Sequence, residues 1–316
     1  MRHLFLINPA AGKYNRTAML TEQIRAVFSV RGEPFEIEIT ARPGHAETLA
    51  RRAAEDGIPT VLYVCGGDGT LGEAAQALPG HPQLALAPVP TGTGNDFIRS
   101  FGGEAQKRFC DLAALAAGHI EEIDLLRAGG RISLNIASCG LDASIAQSVA
   151  GLKRIPAVSG AMAYQLSAAL CLMTSLHHRY RFLIDGEPGG SGDYIFAIAA
   201  NGRYYGGGFY AAPLSDLQDG LIDFMSVPVM SRLRLLPMIG SYRRGEHLDR
   251  YPFLRLRRCR TVQILSDDPV GLNLDGEVFR VRDPLIEVLP RAARLLLPEG
   301  CSPMKRRGAE TASAGG

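Results

Sequence analysis

The chain has 316 residues, 46% of them hydrophobic, and a formal net charge of +2. This is the composition of a folded, soluble-type protein long enough for two domains, and its near-neutral bulk charge points to no particular partner. Six cysteines (Cys65, Cys110, Cys139, Cys171, Cys259 and Cys301) form no C-x-x-C pair. Their spacing excludes a zinc site and a disulfide framework, so they are expected as small buried residues in a reducing compartment.

The start, "MRHLFLINPAAGK", is too short in its apolar run for a signal peptide and reads as a first strand, "HLFLIN". A helix is predicted from about Thr17 to Val30, a strand at "FEIEIT" and a helix from His45 to Asp56. The strand "TVLYVC" precedes a helix from Leu71 to Leu78. The strand "LALAPV" precedes helical structure opening at Asn95–Phe101 and resuming at Ala105–Ala117. Strands alternating with helices predict an α/β domain with a parallel sheet, here over residues 1–125. Ligands of such sheets bind beyond the carboxyl ends of the strands, where "NPAAGK", "TARPG", "GGDGT" and "PTGTGND" converge.

After about Leu125 the pattern changes. "RISLNIASCG", "RYRFLIDG", "DYIFAIAANG", "LIDFMSVPV", "TVQILS" and "LIEVLP" read as strands between turn residues, with helical character only at 153–176 and 231–244. This predicts a mainly antiparallel, β-rich second domain over 126–303, with the ligand site in the interdomain cleft. Residues 304–316, ending "GAETASAGG", are expected to form a disordered tail.

Two segments bear on membranes. Residues 157–176 run twenty residues without a charge, yet five serine, threonine and glutamine residues make a buried or interfacial helix a better reading than a membrane span. "RYPFLRLRRCR", from Arg250 to Arg260, carries five arginines, as a solvated strand face or as a patch facing phosphates or an anionic membrane.

The stretch "GGDGTLG" imitates the G-x-G-x-x-G dinucleotide loop, but no acid lies between Ala74 and Asn95 to hold a ribose, and Asp68 would meet the pyrophosphate. "AAGKY" likewise lacks the leading glycine and the hydroxyl of a P-loop. Reassigned, Gly66, Gly67 and Gly69 let backbone N–H groups approach phosphate oxygens, and Asp68 holds Mg²⁺ that bridges to them. This favours a nucleoside triphosphate. "PTGTGNDF" adds Thr91, Thr93, Asn95 and Asp96 at the same sheet edge. Further on, "SDLQDGL" clusters oxygen donors on a glycine-containing turn, which suits a hard cation or a solvated acidic turn. In "NLDGE", Asp275 and Glu277 point to one face if they share a strand, one accepting a substrate proton and the other positioning it. The alternative is a hairpin turn, since Asp-Gly is a frequent turn dipeptide.

"GGDGT", "PTGTGNDF", "NGRYYGGGFYAAPLSDLQDGLID" and "NLDGE", in this order, resemble the bacterial diacylglycerol kinases and related lipid kinases, with sphingosine and NAD kinases as more distant relatives. The resemblance spans roughly residues 1–300. It implies an ATP- and Mg²⁺-dependent phosphotransferase acting on a lipid hydroxyl, first diacylglycerol giving phosphatidic acid. Another lipid alcohol, a soluble NAD-kinase-like substrate, and a catalytically impaired regulator are the alternatives. It places the nucleotide on Asn8, Pro9, Ala10, Ala11, Gly12, Thr40, Gly66, Gly67, Asp68, Gly69, Thr70, Leu71, Gly72, Thr93 and Asn95. Asp68 and Asp96 are to organise Mg²⁺ and water at the phosphates. Asp216, Asp219 and the carbonyl of Leu221 are to hold a structural Mg²⁺. Glu277 is the implied proton acceptor, with Asp275 its close competitor. Gly72 stands where the family usually has Asn. The implied setting is cytoplasmic, peripherally associated with the inner membrane face, with a lipid partner, no nucleic acid and room for a homodimer.

Overall fold

A computed structural model describes residues 1–141, 143–145, 148, 177–254 and 256–306. The expected apolar helix at 157–176, Cys171, Arg255 and the tail beyond residue 306 lie outside the described residues.

The first half alternates as the periodicity predicts. Strands β1 (Arg2–Ile7), β2 (Phe35–Ile39), β3 (Thr60–Gly66) and β4 (Leu84–Pro90) pair in parallel in the order β2-β1-β3-β4. Every residue of β3 and β4 is buried, as in a parallel strand covered on both faces. Helix α1 (Thr17–Arg31) buries Leu20, Ile24 and Phe28, spaced four apart to form one stripe. Helix α2 (His45–Glu55) buries a stripe of alanines with Leu49.

Helix α3 (Asp68–Ala75) begins three residues before the expected start at Leu71, so Asp68 stands on its first turn. The opening at Asn95–Phe101 is a short 3₁₀ helix over Phe97–Phe101. The single helix expected at 105–117 is two, α4 (Ala105–Cys110) and α5 (Leu112–Ala116). Asp111 divides them, because its Oδ1 accepts from the N–H groups of Ala113 and Ala114, both at 3.1 Å, and so caps a new helix.

The second half is mostly antiparallel. Its strands are β5 (His119–Ala128), β6 (Arg131–Ser133), β7 (Ile136–Gly140), β8 (His178–Ile184), β9 (Glu187–Ala200), β10 (Ile222–Pro228), β11 (Leu256–Cys259), β12 (Thr261–Leu265), β13 (Val270–Leu274), β14 (Glu277–Val281) and β15 (Leu285–Leu297). Helices α6 (Arg232–Arg244) and α7 (His247–Arg250) lie between β10 and β11. One apolar cluster fills the first half, and two further clusters involve the second-half strands, the one built on β9 and β10 including Leu235, Met238 and Tyr242 of α6.

The expected boundary after residue 125 falls inside β5. That strand runs antiparallel to β15 from Leu297↔His119 to Ile286↔Ala128, with an irregularity between Leu289 and Ala293. The end of β15 also joins β4 in parallel, so two strands stitch the halves together. Fully buried Asp124 fastens this crossover, accepting from the N–H groups of Gly220 at 2.7 Å and Arg291 at 2.8 Å.

Residues 304–306, expected in the disordered tail, are held. The N–H of Met304 donates to the Ser100 carbonyl at 2.9 Å, and buried Arg203 donates to the Met304 carbonyl at 2.7 Å. The cysteines follow the expectation at four positions, with Cys65, Cys139, Cys259 and Cys301 buried, but Cys110 is exposed.

Candidate functional site

Three of the four expected loops are locked to one another. The Asn8 amide donates to the Thr70 hydroxyl at 2.8 Å, and its Oδ1 accepts from the Ala10 N–H at 2.9 Å, which curls Pro9, Ala10 and Ala11 over the sheet edge. A side-chain carbon at Gly12 would lie 2.5 Å from the Thr91 carbonyl oxygen. One at Gly92 would lie 2.5 Å from Cα of Gly67, so both positions demand glycine by close approach of backbones. The N–H groups of Thr91 and Gly92 donate to the Gly66 carbonyl at 2.9 and 3.3 Å. The fourth loop, with buried Thr40, lies beside the first through its N–H on the Ile7 carbonyl at 2.9 Å. Leu71 is buried, Gly69 and Thr93 are exposed, and Asn95 turns its amide back to the Gly92 carbonyl at 2.9 Å.

Two acids meet here. Asp68 accepts from the Phe97 N–H at 3.3 Å. Asp96 is 6% exposed and accepts from the Gly207 N–H at 2.7 Å, across the halves of the molecule. Burial and then the charge of Asp68 push the Asp96 acid up to about 6, against the Gly207 N–H, the charge of Arg99 and the Gly208 N–H. Its Oδ1 is buried without a hydrogen-bond donor, and the Arg99 guanidinium stands 3.4 Å away as an ion pair. An orphaned carboxylate oxygen beside a second carboxylate is a donor set that fits a hard divalent cation.

Beside Asp68 lies a hollow between the halves, lined by Gly69, Gly72, Gln76, Arg131, Asp275 and Glu277 among others. Asp275 and Glu277 do not share a strand. Asp275 (φ 51°) and Gly276 (φ 102°) form the two-residue turn between β13 and β14, and the hairpin alternative is the one observed. The Asp275 carboxylate is filled by four donors: Ser133 Oγ at 2.9 Å and the N–H groups of Leu134 at 2.7 Å, Asn135 at 3.1 Å and Ile136 at 3.0 Å. These bonds also break the expected strand at 131–140 into β6 and β7, because they take its backbone donors. Burial pushes the Asp275 acid up to about 6, while the four donors pull the other way. Glu277, by contrast, is half exposed and stands 3.5 Å from Arg131. Burial raises its acid, Arg131 lowers it, and Glu73 and Glu47 raise it again.

Sequence reasoning passed over Arg131 and Gln76. Arg131 lies between Glu277 and Glu47, 3.5 and 3.7 Å away, over the Phe279 ring. Gln76 exchanges two hydrogen bonds with the backbone of Ile132, at 2.8 and 2.9 Å, and fastens α3 to β6. Nothing local in "RISL" or "EAAQAL" marks either role. A side chain at Gly72 would meet open space, so the departure at this position leaves room at the hollow.

The acidic turn at 216–221 is arranged differently from the expectation. Asp216 accepts from the Gln218 N–H at 3.0 Å and faces Lys305 at 3.5 Å. Asp219 accepts from the Leu221 N–H at 3.0 Å and is paired with Arg258, which also stands 3.7 Å from buried Asp223. Cations of the chain itself thus meet both carboxylates of the expected Mg²⁺ set Asp216, Asp219 and Leu221, as Arg99 meets Asp96. Among the described residues no group of three or more His, Cys, Asp or Glu side chains is gathered to hold a metal.

Residues 2–128 match the diacylglycerol kinase catalytic domain, and residues 135–297 match the YegS C-terminal NAD kinase beta sandwich-like domain. A protein of Stenotrophomonas maltophilia (strain K279a) named "Probable lipid kinase YegS-like" is 30% identical over 283 residues, 86% of this chain and 89% of that protein. One of the same name from Xanthomonas oryzae pv. oryzae (strain MAFF 311018) is 30% identical over 306 residues, 92% of this chain and 95% of that one. Among solved structures, a diacylglycerol kinase from Bacillus anthracis str. Sterne aligns with a TM-score of 0.70 at 20% identity, covering 94% of this chain and 97% of that one. That likeness bears on the fold, an α/β half joined to a mainly antiparallel half.

Proposed function

We propose, because the chain belongs to the family of YegS-like lipid kinases, that it transfers the γ-phosphoryl group of ATP to the hydroxyl of a membrane lipid. Diacylglycerol, giving phosphatidic acid, is the substrate we put first. The observation that carries this reading is the hollow in which Asp68 of the first half and Glu277 of the second face one space.

The interlocked loops at Asn8–Gly12, Gly66–Gly72 and Gly92–Asn95 set backbone N–H groups and the start of α3 at one edge, which suits phosphate oxygens. Asp68 and Asp96 would hold Mg²⁺, whose charge, when bound, offsets that of the phosphates. Glu277 accepts the proton of the attacking hydroxyl. The hydroxyl oxygen bonds to the γ-phosphorus as the bond to the β-phosphate oxygen breaks, and ADP leaves. Arg131 keeps Glu277 ionised until then, and stands ready to face transferring phosphate oxygens. Asp275 binds no substrate in this account. It ties the β6–β7 turn to the hairpin whose next residue is Glu277.

Among the described residues no helix is long and apolar enough to cross a membrane. On this reading the lipid is met by peripheral association, on the cytoplasmic face where ATP is available. Radiolabelled ATP offered with a panel of lipid alcohols, resolved by thin-layer chromatography, tests the reading. Labelled phosphatidic acid is expected. A labelled soluble nucleotide with no labelled lipid would sink it.

A further inference from the structure

We propose that the exposed face at the start of α6, with Phe253, is the surface by which this protein docks on an anionic bilayer. The inference rests on the lipid-kinase reading and adds to it the contact surface and the charge of the membrane.

Helix α6 opens "RLRLLPM". Leu235 and Met238 are 1% exposed and fix the helix to the cluster built on β9 and β10. Leu233 and Leu236, three apart and so on one face, are 85% and 59% exposed. Phe253 is 48% exposed just beyond α7, next to Leu254 of the same cluster. Large apolar side chains held out on a rigid helix call for an apolar partner. Pro237 supplies no N–H, so the Leu233 carbonyl lacks its i+4 donor, which suits a helix start lying among wet headgroups.

Charge selects the partner. Residues 231–260 contain nine arginines and two acids. Glu246 is already shared between Arg244 and Arg250 at 2.8 and 3.7 Å, and Arg258 is spent on Asp219. Arg234, between Leu233 and Leu236 in sequence, and Arg257, on the edge strand β11, remain exposed. Exposed leucines and a phenylalanine in a segment rich in arginine match the acyl boundary and headgroups of an anionic bilayer. The expected arginine patch at 250–260 is thus divided, Arg258 serving the acidic turn, Arg250 pairing with Glu246 and Arg257 standing exposed.

The far end of α6 reaches the candidate site. The Arg243 carbonyl accepts from the Tyr210 N–H at 3.1 Å, and Tyr242 packs against Tyr205 and Phe209. That glycine-rich loop also supplies the Gly207 N–H to Asp96. A bilayer at Leu233 therefore lies about 15 Å along the helix from its contact with the loop that holds Asp96.

The chain has no tryptophan, so Leu236→Trp reports insertion without background. Its emission is expected to shift to the blue on phosphatidylcholine vesicles containing phosphatidylglycerol, and much less on phosphatidylcholine alone. The triple variant Leu233→Ser, Leu236→Ser, Phe253→Ser is expected to lose at least about tenfold in vesicle partitioning. It should keep the parent's melting temperature, gel-filtration volume and turnover of a dispersed short-chain diacylglycerol. Arg234→Glu with Arg257→Glu should remove the preference for anionic vesicles. Unchanged partitioning of the triple variant, or no blue shift, overturns the proposal. So does a variant that changes oligomeric state but not vesicle binding, which would make this a protein interface. Vesicle binding that depends on these residues in a protein that phosphorylates no lipid would uphold the surface and defeat the kinase reading.

Discussion

The Asp96→Asn substitution removes a negative charge from a residue that is 6% exposed. Burial and Asp68 push that acid up to about 6 in the folded chain, while in the unfolded chain it ionises near about 3.9. The folded state therefore binds more protons between these values, and stability falls as pH rises through that window. A shift of about two units corresponds to about 3 kcal/mol once ionisation is complete, with about half of it already lost at about pH 5. Asparagine carries no such penalty and keeps an oxygen for the Gly207 N–H. In metal-free buffer Asp96→Asn should be more stable than the parent by about 3 kcal/mol at about pH 8, and by about half that at about pH 5. Urea unfolding of both proteins at both pH values gives the gap. Subtraction also removes Asp275, whose acid lies near the same value. The variant should lose phosphoryl transfer, and magnesium should stabilise the parent more than the variant. A gap independent of pH, or a folded variant less stable than the parent at the higher pH, would refute the reasoning.

The other expectations concern the scaffold of the site. Asp275→Asn, of opposite sign, should destabilise by about 2 kcal/mol or more, because the amide NH₂ would face backbone donors that the carboxylate now satisfies. Equal unfolding midpoints for variant and parent would contradict it. Gly92→Ala would place a carbon 2.5 Å from Cα of Gly67. It should part the two glycine loops and, if they hold the nucleotide as proposed, weaken ATP binding by at least about tenfold, read by calorimetry. An alanine variant with unchanged ATP affinity would mean the loops do not form the nucleotide site. Arg258→Ala leaves Asp219 without its cation, so magnesium should raise the melting temperature of this variant more than that of the parent. An equal response would show that Arg258 does not occupy the cation position.

The parallel half was legible because each of its signals is local. Buried runs such as "TVLYVCG" and "LALAPVP" can only be central strands, and the turn glycines sit where backbones touch. What failed to show was set by distant partners. The run "RISLNIASCG" reads as one strand until Asp275, more than a hundred residues later, takes its donors. The ion pairs of Asp216 and Asp219 are not legible because neither Lys305 nor Arg258 is near them in sequence. Asp124 and Arg131 sit in unremarkable strand sequence, and only the pairing of β5 with β15 and β6 brings their roles into being. Asp275-Gly276 is compatible in sequence with either a strand or a turn, and strand periodicity alone does not decide between them.

The central claim is that Glu277 of one half and Asp68 of the other frame a single phosphoryl-transfer site. Steady-state turnover of diacylglycerol by Glu277→Gln, with ATP affinity measured on the same preparation, tests it most directly. The account predicts a fall in kcat of about a hundredfold or more with ATP affinity held within about twofold. Turnover equal to the parent's would contradict it, since no other carboxylate lining that hollow is both exposed and free of backbone donors.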